Sequence, residues 1–172
     1  KNALLLVLDA QAGILQRPVY EPDRIVKSIN IAVASFSQRA LPVVFSRHTN
    51  ATSLRLGSPA WQIDARVDYT PNVIWLDKKH SNVFHEPEFL KLLENNKIQS
   101  IFLCGCVSNG CVQAACTEAL KRNLEVFLLS DAHGTFVKNA DIVIESWNVK
   151  LADFGVRVIS SQSVVGMLSY QK

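Results

Sequence analysis

Glycine is scarce, with seven in 172 residues where an average domain of this length holds about twelve. That excludes Gly-rich linkers, and no period of about 20–50 residues marks a repeat array. Charge is sparse as well, at 19% against roughly 25% in an average soluble domain. The net charge of +3 is spread along the chain rather than gathered in a stripe, so no nucleic-acid partner is expected. Long apolar runs are also missing. The longest, Ala3–Leu8 and Ile101–Val107, fall far short of the ~20 residues a membrane span needs, and no membrane partner is expected. Lys1 and the run behind it open like a secretion signal, but Asp9 ends that run too early. Without an initiator Met, further residues are expected before Lys1. Four cysteines and no secretion signal together predict free thiols in a reducing, cytoplasmic compartment.

What the sequence does have is apolar mass. At 48% hydrophobic it excludes disorder and supports one domain over residues 1–172 with a core that needs no staples. Ala3–Leu8 reads as a strand buried on both faces. Asp23 is a candidate cap for a helix expected to run to about Arg39, with Ile25, Ile29, Ala32, Val33 and Phe36 at helical spacing. Further strands are expected at Leu41–Phe45, Val73–Leu76, Ser100–Cys104, Leu124–Leu129 and Val156–Ile159. Helices are expected at Glu88–Asn96, about Asn109–Arg122 and Ala140–Phe154. Arg47 to Pro71 has no clear period and is expected to be one long loop. Strand alternating with helix, with strands too apolar to have a wet face, predicts a doubly wound, mostly parallel six-stranded α/β sheet with helices on both faces.

In such sheets ligands bind beyond the carboxyl ends of the strands. The residues that follow the predicted strands are Asp9 and Gln11, then Ser46, Arg47 and His48, then Asp77, Lys78 and Lys79, then the segment Gly105 to Cys111, then Asp131 and His133. A carboxylate, an ammonium and a thiol thus gather at one rim. With Ser108 or Asn109 as cap, Cys111 falls in the first turn of a helix, where unpaired N–H groups favour a thiolate and lower its pKa. A zinc site built from all four cysteines fails, because positions 111 and 116 stand about 140° apart around a helix. A phosphate loop fails as well, since Cys111 stands where the Lys of G-x-x-x-x-G-K-[ST] belongs.

Five segments in order resemble the isochorismatase-like cysteine hydrolase superfamily, which includes nicotinamidases and related amidases. They are Leu5 to Gln11 with its D-x-Q, Leu54 to Ser58, Lys78 to Phe84, Cys104 to Cys111, and Ser130 to His133. The resemblance implies a Rossmann-like hydrolase with a triad of Asp9, Lys78 and Cys111. Cys111 would attack a carbonyl, Asp9 would take and return its proton, and Lys78 would support the ion pair. It also implies an oxyanion hole from the N–H groups of Val107 and Cys111, a cis peptide between Cys106 and Val107, and a homo-oligomer, dimer or larger. Gln11, Trp61, His80, Phe84 and Phe136 are candidate pocket walls, though each also fits a place in the core. Ser46 stands where nicotinamidases carry the Asp of a D-x-H metal site, leaving His48 alone, so neither metal nor other cofactor is expected. The expected activity is hydrolysis of a small amide or related C–N bond through a thioester. Vinyl ether hydrolysis with Asp9 as acid, and a non-enzymatic binding module, are the alternatives.

Overall fold

The computed structural model describes residues 2–169. Lys1 and residues 170–172, which the one-domain expectation included, lie outside the described residues. Six strands form one sheet: β1 (Ala3–Leu8), β2 (Val43–His48), β3 (Ile74–Lys78), β4 (Ser100–Cys106), β5 (Glu125–Gly134) and β6 (Arg157–Ile159). The helices are α1 (Ala12–Leu15), α2 (Pro22–Ser37), α3 (Pro87–Asn95), α4 (Gln113–Lys121), α5 (Ala140–Asp153) and α6 (Ser161–Ser169). The spatial order is β3-β2-β1-β4-β5-β6, and every pairing is parallel. The order reverses at β1, so the crevice between the ends of β1 and β4 is where a doubly wound sheet binds its ligand.

β1 carries apolar side chains to both faces because both are covered. Leu5 and Val7 pack with Ile25, Ile29 and Phe36 of α2 and with Val164 and Leu168 of α6. Leu4, Leu6 and Leu8 pack on the other face with Phe89 of α3, Ala115 of α4 and Leu151 of α5. The two layers are the doubly wound arrangement read from the sequence.

Several boundaries move, and the moves matter for the site. β2 starts after Leu41-Pro42, because Pro has no N–H for the ladder, and the Pro42 carbonyl instead accepts from Leu5 N at 3.0 Å. β2 then runs on through His48, so that Ser46, Arg47 and His48 are strand residues with alternating faces. β4 reaches Cys106 and β5 reaches Gly134. Between β4 and β5 the register jumps, from Leu103↔Leu128 to Gly105↔His133. The bulge carries Asp131 outward, where its carboxylate accepts from Ser161 N at 2.8 Å and Ser161 Oγ at 2.7 Å, capping α6. Asp131 thereby caps a helix and stands apart from the rim where Asp9 and Lys78 meet. Ile63, in the long segment after β2, forms an isolated bridge with Gln11, which follows β1.

Candidate active site

Asp9 follows β1 directly and turns out of the sheet at φ 47°, a left-handed conformation that Asp tolerates better than most residues. Its N–H is held at 3.2 Å by the Ser46 carbonyl. Beside it, Gly105 of β4 pairs with Leu8. A Cβ at Gly105 would collide with the Leu8 backbone, and its φ is +106°, so glycine is needed for β4 to lie this close to β1. The Cys106–Val107 peptide is cis. The chain then turns through a wide, π-type turn, Ser108–Val112, broken at Gly110. The Val107 carbonyl accepts from Gly110 N at 3.0 Å and Val112 N at 3.2 Å, and the Cys111 amide between them is not among its donors. Cys111 therefore sits on an irregular turn that leads into α4, not in the first turn of a regular helix.

Lys78 is the last residue of β3, opposite His48, and its side chain reaches past the end of β2 to β1. Its Nζ lies 2.8 Å from Asp9 Oδ2, with both side chains buried. The same Nζ donates to Cys111 Sγ at 3.4 Å and to the His80 carbonyl at 3.1 Å, and His48 Nδ1 stands 3.5 Å away. The other Asp9 oxygen, Oδ1, accepts from Ser46 Oγ at 2.6 Å. Asp9, Lys78 and Cys111 thus meet as a buried cluster in which both carboxylate oxygens accept hydrogen bonds.

The electrostatics follow from burial. Desolvation opposes the Lys78 charge, but the Asp9 carboxylate and the Cys111 sulfur outweigh it and hold its pKa above the ordinary lysine value. The Cys111 thiol is pushed up to about 11, first by burial and then by the Asp9 charge, with Lys78 pulling the other way. This corrects the expectation that its position and the nearby Lys would lower the pKa: dehydration and an adjacent carboxylate outweigh both. Cys106 and Cys116 are pushed up to about 12 by burial, and Cys104 higher still. Of the four, all free, Cys111 alone is not fully buried.

The candidate pocket walls fare unevenly. Gln11 is fully buried, and its amide is occupied by backbone, donating to the His48 and Trp61 carbonyls at 3.0 and 2.8 Å and accepting from His48 N at 2.8 Å. It clamps the loop to β2 and has no free polar atom to offer a ligand. Phe84 lies in the core, 2% exposed and edge-on to Phe89 at 5.2 Å, because its 3-10 turn tucks it under α3. Trp61 is covered by the Arg47 guanidinium at 3.8 Å and donates from its indole to Thr49 at 3.0 Å, bracing the loop. His80 meets the cluster through its carbonyl, while its exposed ring faces Glu86 at 3.2 Å. Phe136 is half-buried beneath Arg17, 5.1 Å from its guanidinium. The sequence reading did not foresee that Ser46 bonds Asp9 or that His48 faces Lys78. Strand alternation carried three residues further would have placed both on the Asp9 face.

The surroundings of His48 do not fit a metal ion. The Ser46 hydroxyl is turned to Asp9 and His48 Nδ1 faces an ammonium. Among the described residues no three His, Cys, Asp or Glu side chains converge, where a zinc site needs three or four ligands. Nor is any described helix long and apolar enough to cross a membrane.

The isochorismatase-domain family profile matches residues 3–163. The chain belongs to the isochorismatase family of hydrolases. This isochorismatase-family chain is 25% identical over 171 residues to the secreted isochorismatase effector Isc1 of Phytophthora sojae, covering 98% of the present chain and 77% of Isc1. It superposes on a cysteine hydrolase from Pseudomonas syringae with a TM-score of 0.87 at 18% identity, over 98% of this chain and 92% of the other. It superposes on the Pyrococcus horikoshii pyrazinamidase, solved in complex with zinc, with a TM-score of 0.79 at 21% identity, over 93% and 99% of the two chains. At these identities the structural likeness speaks for the fold. Enzymes of this family act on small molecules.

Proposed function

We propose that this hydrolase cleaves a small amide or related C–N bond through a covalent thioester on Cys111, without a metal ion or other cofactor. The observation that carries the reading is the contact set of Lys78 Nζ, 2.8 Å from Asp9 and 3.4 Å from the Cys111 sulfur. A thiol whose pKa is about 11 is protonated at rest, so it needs a base at the moment of attack. Asp9 takes the Sγ proton as Cys111 attacks the carbonyl carbon. Lys78 stays charged and stabilises the sulfur and carboxylate in turn. The N–H groups of Val107 and Cys111 receive the developing oxyanion. Asp9 then passes the proton to the leaving nitrogen as the C–N bond breaks, giving an amine and a thioester. A water molecule, deprotonated by Asp9, attacks the thioester, and acid release returns the proton to Cys111. Both Asp9 oxygens accept hydrogen bonds, the pattern of a carboxylate base, which favours this path over acid attack on a vinyl ether.

The reading carries a homo-oligomer, dimer or larger, and a reducing cytoplasmic compartment that keeps Cys111 and the other three thiols free. The test is a panel of small primary amides, each mixed with the enzyme, quenched in acid and examined by mass spectrometry. An acyl mass on the Cys111 peptide supports the thioester path. Turnover of a panel member with no adduct at Cys111 under any quench time would refute it.

A further inference from the structure

The proposed mechanism leaves the buried imidazole of His133 unused. His133 is fully buried, returned by the β5 bulge to a position opposite Gly105 and directly behind the turn that carries Cys111. Its Nδ1 lies 2.8 Å from Ser108 Oγ and its Nε2 2.9 Å from Asn148 Oδ1 of α5. The directions of these bonds follow from chemistry. An amide oxygen only accepts, so Nε2 carries the proton, and Nδ1 must then accept from the Ser108 hydroxyl. A one-way chain runs from Ser108 through His133 to Asn148. A second tie runs in parallel, from Thr135 Oγ1 to Asn109 Oδ1 at 2.9 Å. Burial lowers the His133 pKa, with Arg24 adding to that and Asn148, Asp131 and Glu145 opposing it, which keeps the ring neutral as the chain requires. We propose that His133 is a positioning residue for the nucleophile turn, fixing Ser108 and through it the 107–111 backbone against the Cys111 sulfur and the substrate carbonyl.

The proposal rests on the thiol reading above and sharpens it. Donors aimed at an oxyanion act chiefly in the transition state, so loosening the turn lowers kcat and leaves KM within about twofold. A misplacement of about 1 Å lowers the rate about a hundredfold, which sets the expected range at roughly ten- to a hundredfold. Two half-mimics separate the ends of the chain. The His133→Asn side chain places an acceptor near the Nδ1 position and serves Ser108. The His133→Gln side chain places a donor near the Nε2 position and serves Asn148. The Asn variant should keep more kcat than the Gln variant, and Ser108→Ala added to His133→Gln should lower kcat no further than either alone. Equal kcat in wild type and both His133 variants, or multiplicative losses in the double variant, would overturn the proposal. Hydrogen exchange on the same variants needs no substrate. Faster exchange confined to residues 107–112 supports the role, and unchanged exchange there overturns it. A Cys111→Ala control assayed alongside reports failure of the thiol reading separately, because that failure leaves the exchange result standing.

Discussion

Removing the Asp9 charge should have opposite effects on thiol reactivity and on turnover. The Cys111 pKa of about 11 is set by burial and by the Asp9 carboxylate, whose charge and hydrogen bond both favour the protonated thiol. At pH 8 about one thiol in a thousand is then ionised. A like charge at contact range shifts a pKa by roughly 1–3 units, so Asp9→Asn should raise the thiolate fraction at least about tenfold. A thiolate of lower pKa is a weaker nucleophile, with a Brønsted slope of about 0.4–0.5, which trims the gain to about three- to sixtyfold in alkylation rate while the pH stays below the variant's own pKa. Lys78→Met should move the rate the other way by a similar factor, because Lys78 lowers the thiol pKa. Both changes strand a buried charge, which destabilises by about 3–5 kcal/mol, so each variant is checked for a folded circular dichroism spectrum first. The assay is iodoacetamide labelling read on the Cys111 peptide between pH 7 and 10. In wild type the rate should climb about tenfold per pH unit without a plateau. In Asp9→Asn it should be faster at pH 7 to 8 although turnover is lost. Labelling of Asp9→Asn at or below the wild-type rate would refute the assignment of Asp9 as the group that holds the proton on sulfur.

Stability should fall on acidification. His48 and His133 have pKa values lowered from 6.5, in both cases chiefly by burial. Unfolding lets them bind protons, so the stability they confer is fully present above about pH 6.5 and is lost as pH drops through the folded values; denaturant midpoints at pH 7.5 and 5 measure this, and His133→Gln should flatten part of the slope. Phe84→Ala should lower stability by about 3–5 kcal/mol, seen in the denaturant midpoint, with kcat of the folded enzyme unchanged, because Phe84 sits in the core rather than at the substrate. Lys78→Ala should abolish turnover while Lys79→Ala spares it, since only Lys78 turns inward from β3; the reverse result in a steady-state assay would mean the strand register is wrong.

The architecture was legible because each of the first five strands holds a short apolar run, as in residues 4–8, 43–45 and 101–104, between helical periods, and a parallel sheet covered on both faces favours that pattern. The meeting of a carboxylate, an ammonium and a thiol was legible because Asp9, Lys78 and Cys111 stand at the carboxyl ends of strands or a few residues beyond, the rim that a parallel sheet gathers. What sequence did not carry was tertiary. α6 has three Ser and a Gly in nine residues and no strong period of its own. It is helical because Asp131 caps it and Val164 and Leu168 find the face of α2. The reach of β2 through His48 depends on pairing with β3, which no local pattern announces. The high pKa of Cys111 depends on dehydration by the whole fold, whereas position in the chain pointed to the opposite sign.

Turnover by Cys111→Ala tests the thioester path most directly. Once a member of the amide panel is found to be hydrolysed, the variant is assayed on it at saturating concentration beside wild type. On the proposed path loss of the thiol removes the atom that forms the acyl bond, so the rate should fall to background, with Asp9→Asn equally inactive. A Cys111→Ala enzyme that keeps near-normal rates while Asp9→Asn is dead would contradict the cysteine mechanism and leave Asp9 acting alone as the acid.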